Sequence, residues 1–163
     1  MLTLKDYKKS PELVKELIDS LRKNIHEQTI KQSLFSNDCL PAVASMITNT
    51  PIQEIKKYIK NKTGNTGEKG YYEYEIYGFL LDKGYILGLY IKNPQEHDIV
   101  ESKICIDVYM NQPAILITEA ECECQHHAIY WNGISIKDPL PTITKPRDLN
   151  DYKISKWLPV SKL

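Results

Sequence analysis

The stretch that most constrains the fold is residues 125–140, which read QHHAIYWNGISIKDPL. Asn132-Gly133 lies between two runs of alternating apolar residues, and this dipeptide is a strong signal for a two-residue type I′ hairpin turn. With that turn, Trp131 lies opposite Ile134, and side chains alternate between the two faces of the hairpin. One face, predicted to be the apolar and core-facing one, carries His127, Ile129, Trp131, Ile134, Ile136 and Asp138.

The same register places a histidine and an aspartate opposite each other at the open end of the hairpin. His127 would face Asp138, with Cβ atoms roughly 5 Å apart. An imidazole held by a carboxylate at the edge of a core is the arrangement that a general base requires. The pair therefore predicts acid–base chemistry and leaves open which residue supplies a nucleophile.

Cys39 is the candidate nucleophile, because it is predicted to lie in the first turn of a buried helix. Asp38 is a suitable N-cap residue, and Pro41 is tolerated only within the first helical turn, so the helix should begin at or very near Asp38. Free N–H groups and partial positive charge at a helix N-terminus stabilise a thiolate, whereas the neighbouring Asp38 carboxylate favours the thiol. Most free cysteines are small core residues, but the His127–Asp138 pair favours the catalytic interpretation.

The order of the other elements predicts an α+β protein, with helices first and an antiparallel sheet second. A helix is predicted over residues 11–30 and another over residues 71–83. In the second helix Tyr74, Tyr77 and Leu81 share a stripe that is expected to pack, with the lining of a binding groove as the alternative. Residues 98–110 are predicted to form a short helix or an irregular segment. Strands are predicted over residues 85–91, 113–118 and 153–160, and the second of these is a continuous apolar run expected at the centre of the sheet.

Composition excludes several classes of partner. The chain has 163 residues and a formal net charge of +0, so its composition gives no case for binding nucleic acid or an anionic membrane surface. Neither a signal peptide nor a transmembrane run is recognisable, which predicts a cytoplasmic protein with unpaired cysteines. A single domain is expected over residues 1–163, with an N-terminal helix (1–30), a helical part (38–84) and a mainly β part (85–163).

A metal site is an alternative use of a second cluster of ligand-type residues. Cys122, Cys124 and His126 would share one face of a strand, and cysteine and neutral histidine are good zinc ligands. Their Cys-x-Cys-x-His spacing lacks the loops of ordinary structural zinc sites, and no second pair of ligands matches them. We therefore expect no metal and no cofactor, and we expect His126 to face solvent.

The motifs together resemble a known family. Asn37-Asp38-Cys39 before an apolar helix, His127-Ala128-Ile129, and Asp138-Pro139 after a hairpin are similar to the motifs of papain-like cysteine peptidases. The resemblance is strongest to the bacterial and phage branch that includes the double-glycine leader peptidases. It implies a papain-like fold in which the cysteine helix packs on an antiparallel sheet that bears the histidine and the aspartate.

By this resemblance Cys39 would be the nucleophile, His127 the general base and acid, and Asp138 the group that orients His127. The family also has a glutamine shortly before the cysteine, which donates to the oxyanion. Gln32 is the candidate, although its offset of seven residues is one longer than expected, and Asn37 is a substitute. Leu40-Pro41 departs from the family, which often has glycine after the cysteine.

The function that follows is a thiol-dependent hydrolase that cleaves an amide, peptide, isopeptide or thioester bond of a protein or peptide substrate. Two alternatives use the same fold. One is an acyl transferase of the transglutaminase type, and the other is a binding or effector module that no longer turns over substrate.

Overall fold

The computed structural model describes residues 29–33, 36–92, 94, 112–119 and 126–163. The helices are α1 (Cys39–Thr48), α2 (Ile52–Thr63), α3 (Glu73–Asp82) and a 3-10 turn (Leu149–Asp151). The strands are β1 (Tyr85–Leu87), β2 (Ile91–Lys92), β3 (Ala114–Glu119), β4 (His126–Trp131), β5 (Ile136–Lys137) and β6 (Ile154–Lys162). The predicted α+β order is therefore confirmed. The helix predicted over residues 11–30 and the segment 98–110 lie outside the described residues, except for Thr29 and Ile30, which are not helical.

The strands form one antiparallel sheet in the order β1-β6-β3-β4-β5, and β2 also pairs with β6. The predicted central position of the apolar strand is confirmed, because β3 pairs with β4 on one side and with β6 on the other. Its residues Ala114 to Thr118 are all buried, as expected for a strand that is covered on both faces. The strand predicted over residues 85–91 is divided into the two short strands β1 and β2.

Apolar side chains cover both faces of the sheet. The three α-helices of the described chain pack on the face that carries Ile115, Ile117 and Ala128. The opposite face carries Leu116, Ile129, Trp131, Ile136, Tyr152, Ile154 and Trp157. The rings of Trp131 and Trp157 lie 6.2 Å apart there. The prediction that only the Trp131 face of the hairpin is buried was incomplete, since Ala128 on the other face packs against the helices.

The hairpin has a longer loop than predicted, and its register is shifted by two residues. Trp131 pairs with Ile136 rather than Ile134, and residues 132–135 form the loop. Asn132 does not take the positive φ of a type I′ turn, and its side-chain oxygen instead accepts the backbone N–H groups of Ile134 and Ser135 at 3.0 and 2.8 Å. A shift of two preserves which residues share a face, but Ile134 is 52% exposed rather than in the core.

The tyrosine stripe predicted on helix α3 is exposed rather than packed. Tyr74 and Tyr77 face outward, and Tyr74 is 66% exposed. The same helix carries a more apolar stripe at helical spacing, formed by Ile76, Phe79 and Leu80, and this stripe is buried instead. The packing prediction was wrong because these purely apolar side chains gain more from burial than tyrosines, whose hydroxyl groups would need a partner inside the core.

Candidate active site

Helix α1 places Cys39 where the sequence predicted it, as the first residue of a helix that is buried along most of its length. The thiol itself is half-buried and free. Asp38 occupies the N-cap position, but its side chain makes no capping hydrogen bond. Both of its carboxylate oxygens instead lie 3.0 Å from the ammonium of Lys56 on helix α2. This ion pair offsets the negative charge that the sequence places beside the thiol.

The structure brings Cys39, His127 and Asp138 together. His127 lies near the start of strand β4, and Asp138 lies directly after strand β5. His127 Nε2 is 2.8 Å from Asp138 Oδ1, and both side chains are buried. The Cys39 side chain lies close enough to the His127 ring to raise its pKa, and both residues line the same cleft. The two residues His127 and Asp138 therefore lie together as predicted. Asp138 lies just past the end of β5, however, so it is not directly opposite His127 in the strand pairing.

Asp138 uses both of its carboxylate oxygens. Oδ1 accepts the backbone N–H of Leu140 at 2.9 Å in addition to its contact with His127. Oδ2 accepts the hydroxyl of Tyr152 at 2.7 Å. Two further donors thus fix the carboxylate in position, and sequence reasoning missed the role of Tyr152 because nothing in its local pattern marks it.

These contacts favour a charged pair. Burial alone would lower the pKa of His127, but hydrogen bonds and negative charge from Asp138 and Cys39 outweigh burial and raise it to about 9. Burial would likewise raise the pKa of Asp138, but its contacts with His127, Leu140 and Tyr152 hold it below the ordinary value. The site therefore stabilises an imidazolium beside a carboxylate at neutral pH, which is the state that an adjacent thiolate requires.

Gln32 and Asn37 differ in their availability as oxyanion donors. Gln32 is buried beside the same cleft, and its Nε2 donates one hydrogen bond to the carbonyl of Ser36 at 3.0 Å, which leaves a second N–H. Its Oε1 is buried and has no hydrogen-bond partner among the described residues. Asn37 is exposed, and its amide donates to the carbonyl of Glu68. The geometry favours Gln32 over Asn37 as a donor to a bound substrate.

A cleft of about 650 Å³ opens over the thiol. Its size falls within the range of small-ligand and peptide sites. One wall comes from the start of helix α3, where the rings of Tyr72 and Tyr74 stack 5.5 Å apart. The residues that line it include Gln32, Asn37, Cys39, Tyr72, His126 and His127.

The zinc alternative is only partly covered by the described residues. His126 is exposed at the start of strand β4, as predicted. Cys122 and Cys124 lie outside the described residues. Within the described part of the chain, no group of three or more His, Cys, Asp or Glu residues could hold a metal ion. The zinc site therefore stays an untested alternative to the prediction of no metal.

The fold is that of papain-like peptidase domains. One similar structure is the peptidase domain of Streptococcus ComA, a bifunctional ABC transporter involved in a quorum-sensing pathway. It is 14% identical, with a TM-score of 0.58, over 82% of this chain and 97% of that one. Another is a double-glycine motif protease from an AMS/PCAT transporter in complex with its leader peptide, which is 10% identical, with a TM-score of 0.53, over 82% of this chain and 91% of that one.

These neighbours confirm the predicted papain-like fold and its likeness to the double-glycine leader peptidases. No protein-family model and no curated protein matches the sequence. In the part of the chain that the structure describes, no helix is both long enough and apolar enough to span a membrane.

Proposed function

We propose that this chain is a cysteine peptidase in which Cys39 is the nucleophile, His127 the general base and acid, and Asp138 the residue that orients His127. The observation that supports this proposal is the cleft that Cys39 and His127 line together, with His127 held by a buried hydrogen bond of 2.8 Å to Asp138. A thiol, an imidazole and an orienting carboxylate are the minimum set for acyl transfer through a thioester.

In the proposed reaction, the Cys39 thiolate attacks the carbonyl carbon of a peptide bond, and the electron pair of the carbonyl moves to oxygen. The Cys39 backbone N–H and Gln32 Nε2 stabilise this oxyanion. The His127 imidazolium gives its proton to the leaving nitrogen as the C–N bond breaks. Water, deprotonated by His127, then attacks the thioester, releases the acid and restores the thiolate.

A peptide is the proposed substrate. The solved relative from the AMS/PCAT transporter holds a leader peptide, and the cleft of this chain has the volume for a short extended segment. Three tyrosine rings and the polar groups of Asn37 and Lys156 border the cleft, so side chains and backbone of a peptide would both find partners there. The proposed compartment is the cytoplasm, where a reactive thiol remains reduced.

Selective alkylation tests the proposal. A variant that carries serine in place of Cys105, Cys122 and Cys124 retains Cys39 alone, and a Cys39→Ser variant retains the other three thiols as the matched control. We expect iodoacetamide to modify Cys39 at least about tenfold faster at pH 7 than the remaining thiols, because an activated thiolate reacts and a thiol does not. His127→Ala should remove this difference.

Cleavage of a degenerate peptide library, followed by mass spectrometry, tests turnover. Products from the wild type and none from Cys39→Ala would support the peptidase. A selectively reactive Cys39 that cleaves no peptide but transfers acyl groups to added amines would favour the transferase. Equal reactivity of all four thiols would contradict the catalytic proposal and favour a binding module of papain-like fold.

A further inference from the structure

Lys31 makes an unusual set of contacts next to the proposed site. Its ammonium donates to three backbone carbonyl oxygens, those of Asp138 at 2.8 Å, Leu140 at 3.3 Å and Ile143 at 2.9 Å. The ammonium group has three N–H donors, so the three carbonyls use all of them. Lysine side chains usually remain in water, and here burial lowers the pKa of Lys31 despite the opposing effect of the Asp138 charge.

The three carbonyls belong to the segment that carries Asp138, and Lys31 directly precedes Gln32. The backbone N–H of Gln32 also donates to the carbonyl of Pro139 at 2.9 Å. Four hydrogen bonds therefore join the segment 31–32 to the segment 138–143. One segment supplies the proposed oxyanion donor, and the other supplies the carboxylate that orients His127.

We propose that Lys31 is a positioning residue that fixes Gln32 and Asp138 relative to each other and to Cys39. The inference rests on the proposed function, since it concerns the geometry of that same site. Residues 29–33 form no helix or strand in the structure, so no regular hydrogen-bond ladder holds Gln32 at the cleft. The Lys31 ammonium takes this role by binding three carbonyls of the segment that follows strand β5.

Two reactions of the single-cysteine protein separate the two effects. Iodoacetamide alkylates the thiolate without forming an oxyanion, so its rate reports on Cys39 and His127 alone. p-Nitrophenyl acetate acylates the thiolate through an oxyanion, so its rate also reports on Gln32. The ratio of acylation to alkylation therefore measures the oxyanion donor, and Gln32→Ala gives the reference for its complete loss.

We expect Lys31→Met to lower the ratio of acylation to alkylation about tenfold or more, approaching the value of Gln32→Ala. Lys31→Arg, which keeps the charge and several donors, should recover part of the ratio. Lys60→Met, which changes an exposed lysine on helix α2, should match the wild type. If Lys31→Met does not fold, as judged by circular dichroism, Lys31→Gln is used in its place. Its ratio of acylation to alkylation should fall less than that of Lys31→Met and more than that of Lys31→Arg.

The pH dependence of alkylation distinguishes a positioning role of Lys31 from a purely electrostatic one. The inflection on the alkaline side of the rate profile reports the pKa of His127. If Lys31 holds Asp138 in place, its loss lowers the inflection from about 9 toward the ordinary histidine value. If Lys31 acts only as a nearby positive charge, its loss raises the inflection, and the inference is overturned.

An unchanged ratio in Lys31→Met would also overturn the inference, while a selectively reactive wild-type Cys39 would leave the proposed function intact. If wild-type Cys39 reacts no faster than the other thiols, the proposed function fails first.

Discussion

At the scale of single residues, the proposed site depends on a carboxylate that is held from three directions. Asp138 contacts His127 and the backbone N–H of Leu140 through one oxygen and the hydroxyl of Tyr152 through the other. Each donor stabilises the charged form of the carboxylate, and the charged carboxylate in turn stabilises the His127 imidazolium. Removal of one donor should therefore change both stability and thiol reactivity.

Tyr152→Phe tests this dependence. It removes one buried hydrogen bond to a charged group and should lower the free energy of unfolding by about 1.5–3 kcal/mol. It should also slow alkylation of Cys39 at neutral pH, because the pKa of His127 falls when Asp138 is less well fixed. Urea unfolding and iodoacetamide kinetics measure the two effects.

Tyr58→Phe is the matched control, since the Tyr58 hydroxyl donates to the Asp82 carboxylate at 2.6 Å in an exposed position away from the cleft. It should have a smaller effect on stability and none on alkylation. Equal alkylation rates in the two variants would show that Tyr152 does not act on the site.

The His127–Asp138 pair also predicts how stability depends on pH. The folded-state pKa of His127, about 9, exceeds the ordinary value of 6.5. The charged pair therefore stabilises the folded protein by about 3 kcal/mol below about pH 6.5. This stabilisation is lost as the pH rises to about 9. Folding lowers the pKa of Asp138, so this carboxylate stabilises the folded state fully above its unfolded-state pKa of 3.8. This stabilisation is lost as the pH falls through the folded-state pKa of Asp138.

Urea unfolding at several pH values checks this expectation. The free energy of unfolding should decrease between pH 6.5 and 9 in the wild type. His127→Gln should flatten this decrease, because glutamine does not titrate. A decrease of the same size in His127→Gln would assign the pH dependence to other groups.

At the scale of elements, a buried carboxylate organises the loop that forms one wall of the cleft. Glu75 on helix α3 accepts the hydroxyl of Thr63 at 2.9 Å, the amide of Asn65 at 2.9 Å and the backbone N–H of Tyr72 at 2.8 Å. These contacts join the end of helix α2 to the start of helix α3. The loop between the two helices also contacts Asn37 through the carbonyl of Glu68.

Glu75→Ala removes the acceptor of three partly buried hydrogen bonds and should lower the free energy of unfolding by about 1.5–3 kcal/mol. Glu75→Gln, which retains one acceptor oxygen, should cost less. Glu54→Ala on the exposed face of helix α2 is the control and should change stability by less than about 0.5 kcal/mol. Urea unfolding at pH 7 measures all three, and equal values for Glu75→Ala and Glu54→Ala would contradict this role of Glu75.

Some features of the single elements were predictable from the sequence, and others were not. The start of helix α1 was predictable, because Pro41 is tolerated only in a first turn and so limits where the helix can begin. The hairpin was predictable in its faces but not in its register, since Asn132 satisfies the turn through its side chain rather than through a left-handed backbone. The positions of the main strands along the chain and the central place of β3 followed from patterning, whereas the break between β1 and β2 did not.

Lys31, Lys56 and Tyr152 could not be found from the sequence, for a common physical reason. Their partners lie far away along the chain or are backbone carbonyls, which carry no sequence signature. Gln32 was identified only through the resemblance, and its spacing gave no independent support. Local patterns predict where a helix begins or which face is apolar, but polar contacts between distant segments appear only after folding.

At the scale of the whole molecule, the proposed site is assembled from segments that the sheet and helices bring together. Cys39 comes from helix α1, His127 from strand β4, and Asp138 from the loop after strand β5. Neighbours of 14% and 10% identity share this arrangement of helices and sheet over 82% of the chain. Such a fold can persist with few identical residues because apolar patterning, rather than particular side chains, sets which faces are buried.

The pairing of Trp131 and Trp157 has a practical consequence. They are the two tryptophans of the chain, and both lie buried on the sheet face opposite the helices. The intrinsic fluorescence of these two indoles therefore reports on that sheet face. A variant that loses thiol reactivity but keeps its emission maximum has lost chemistry, whereas a red-shifted maximum reveals that solvent has reached the indoles.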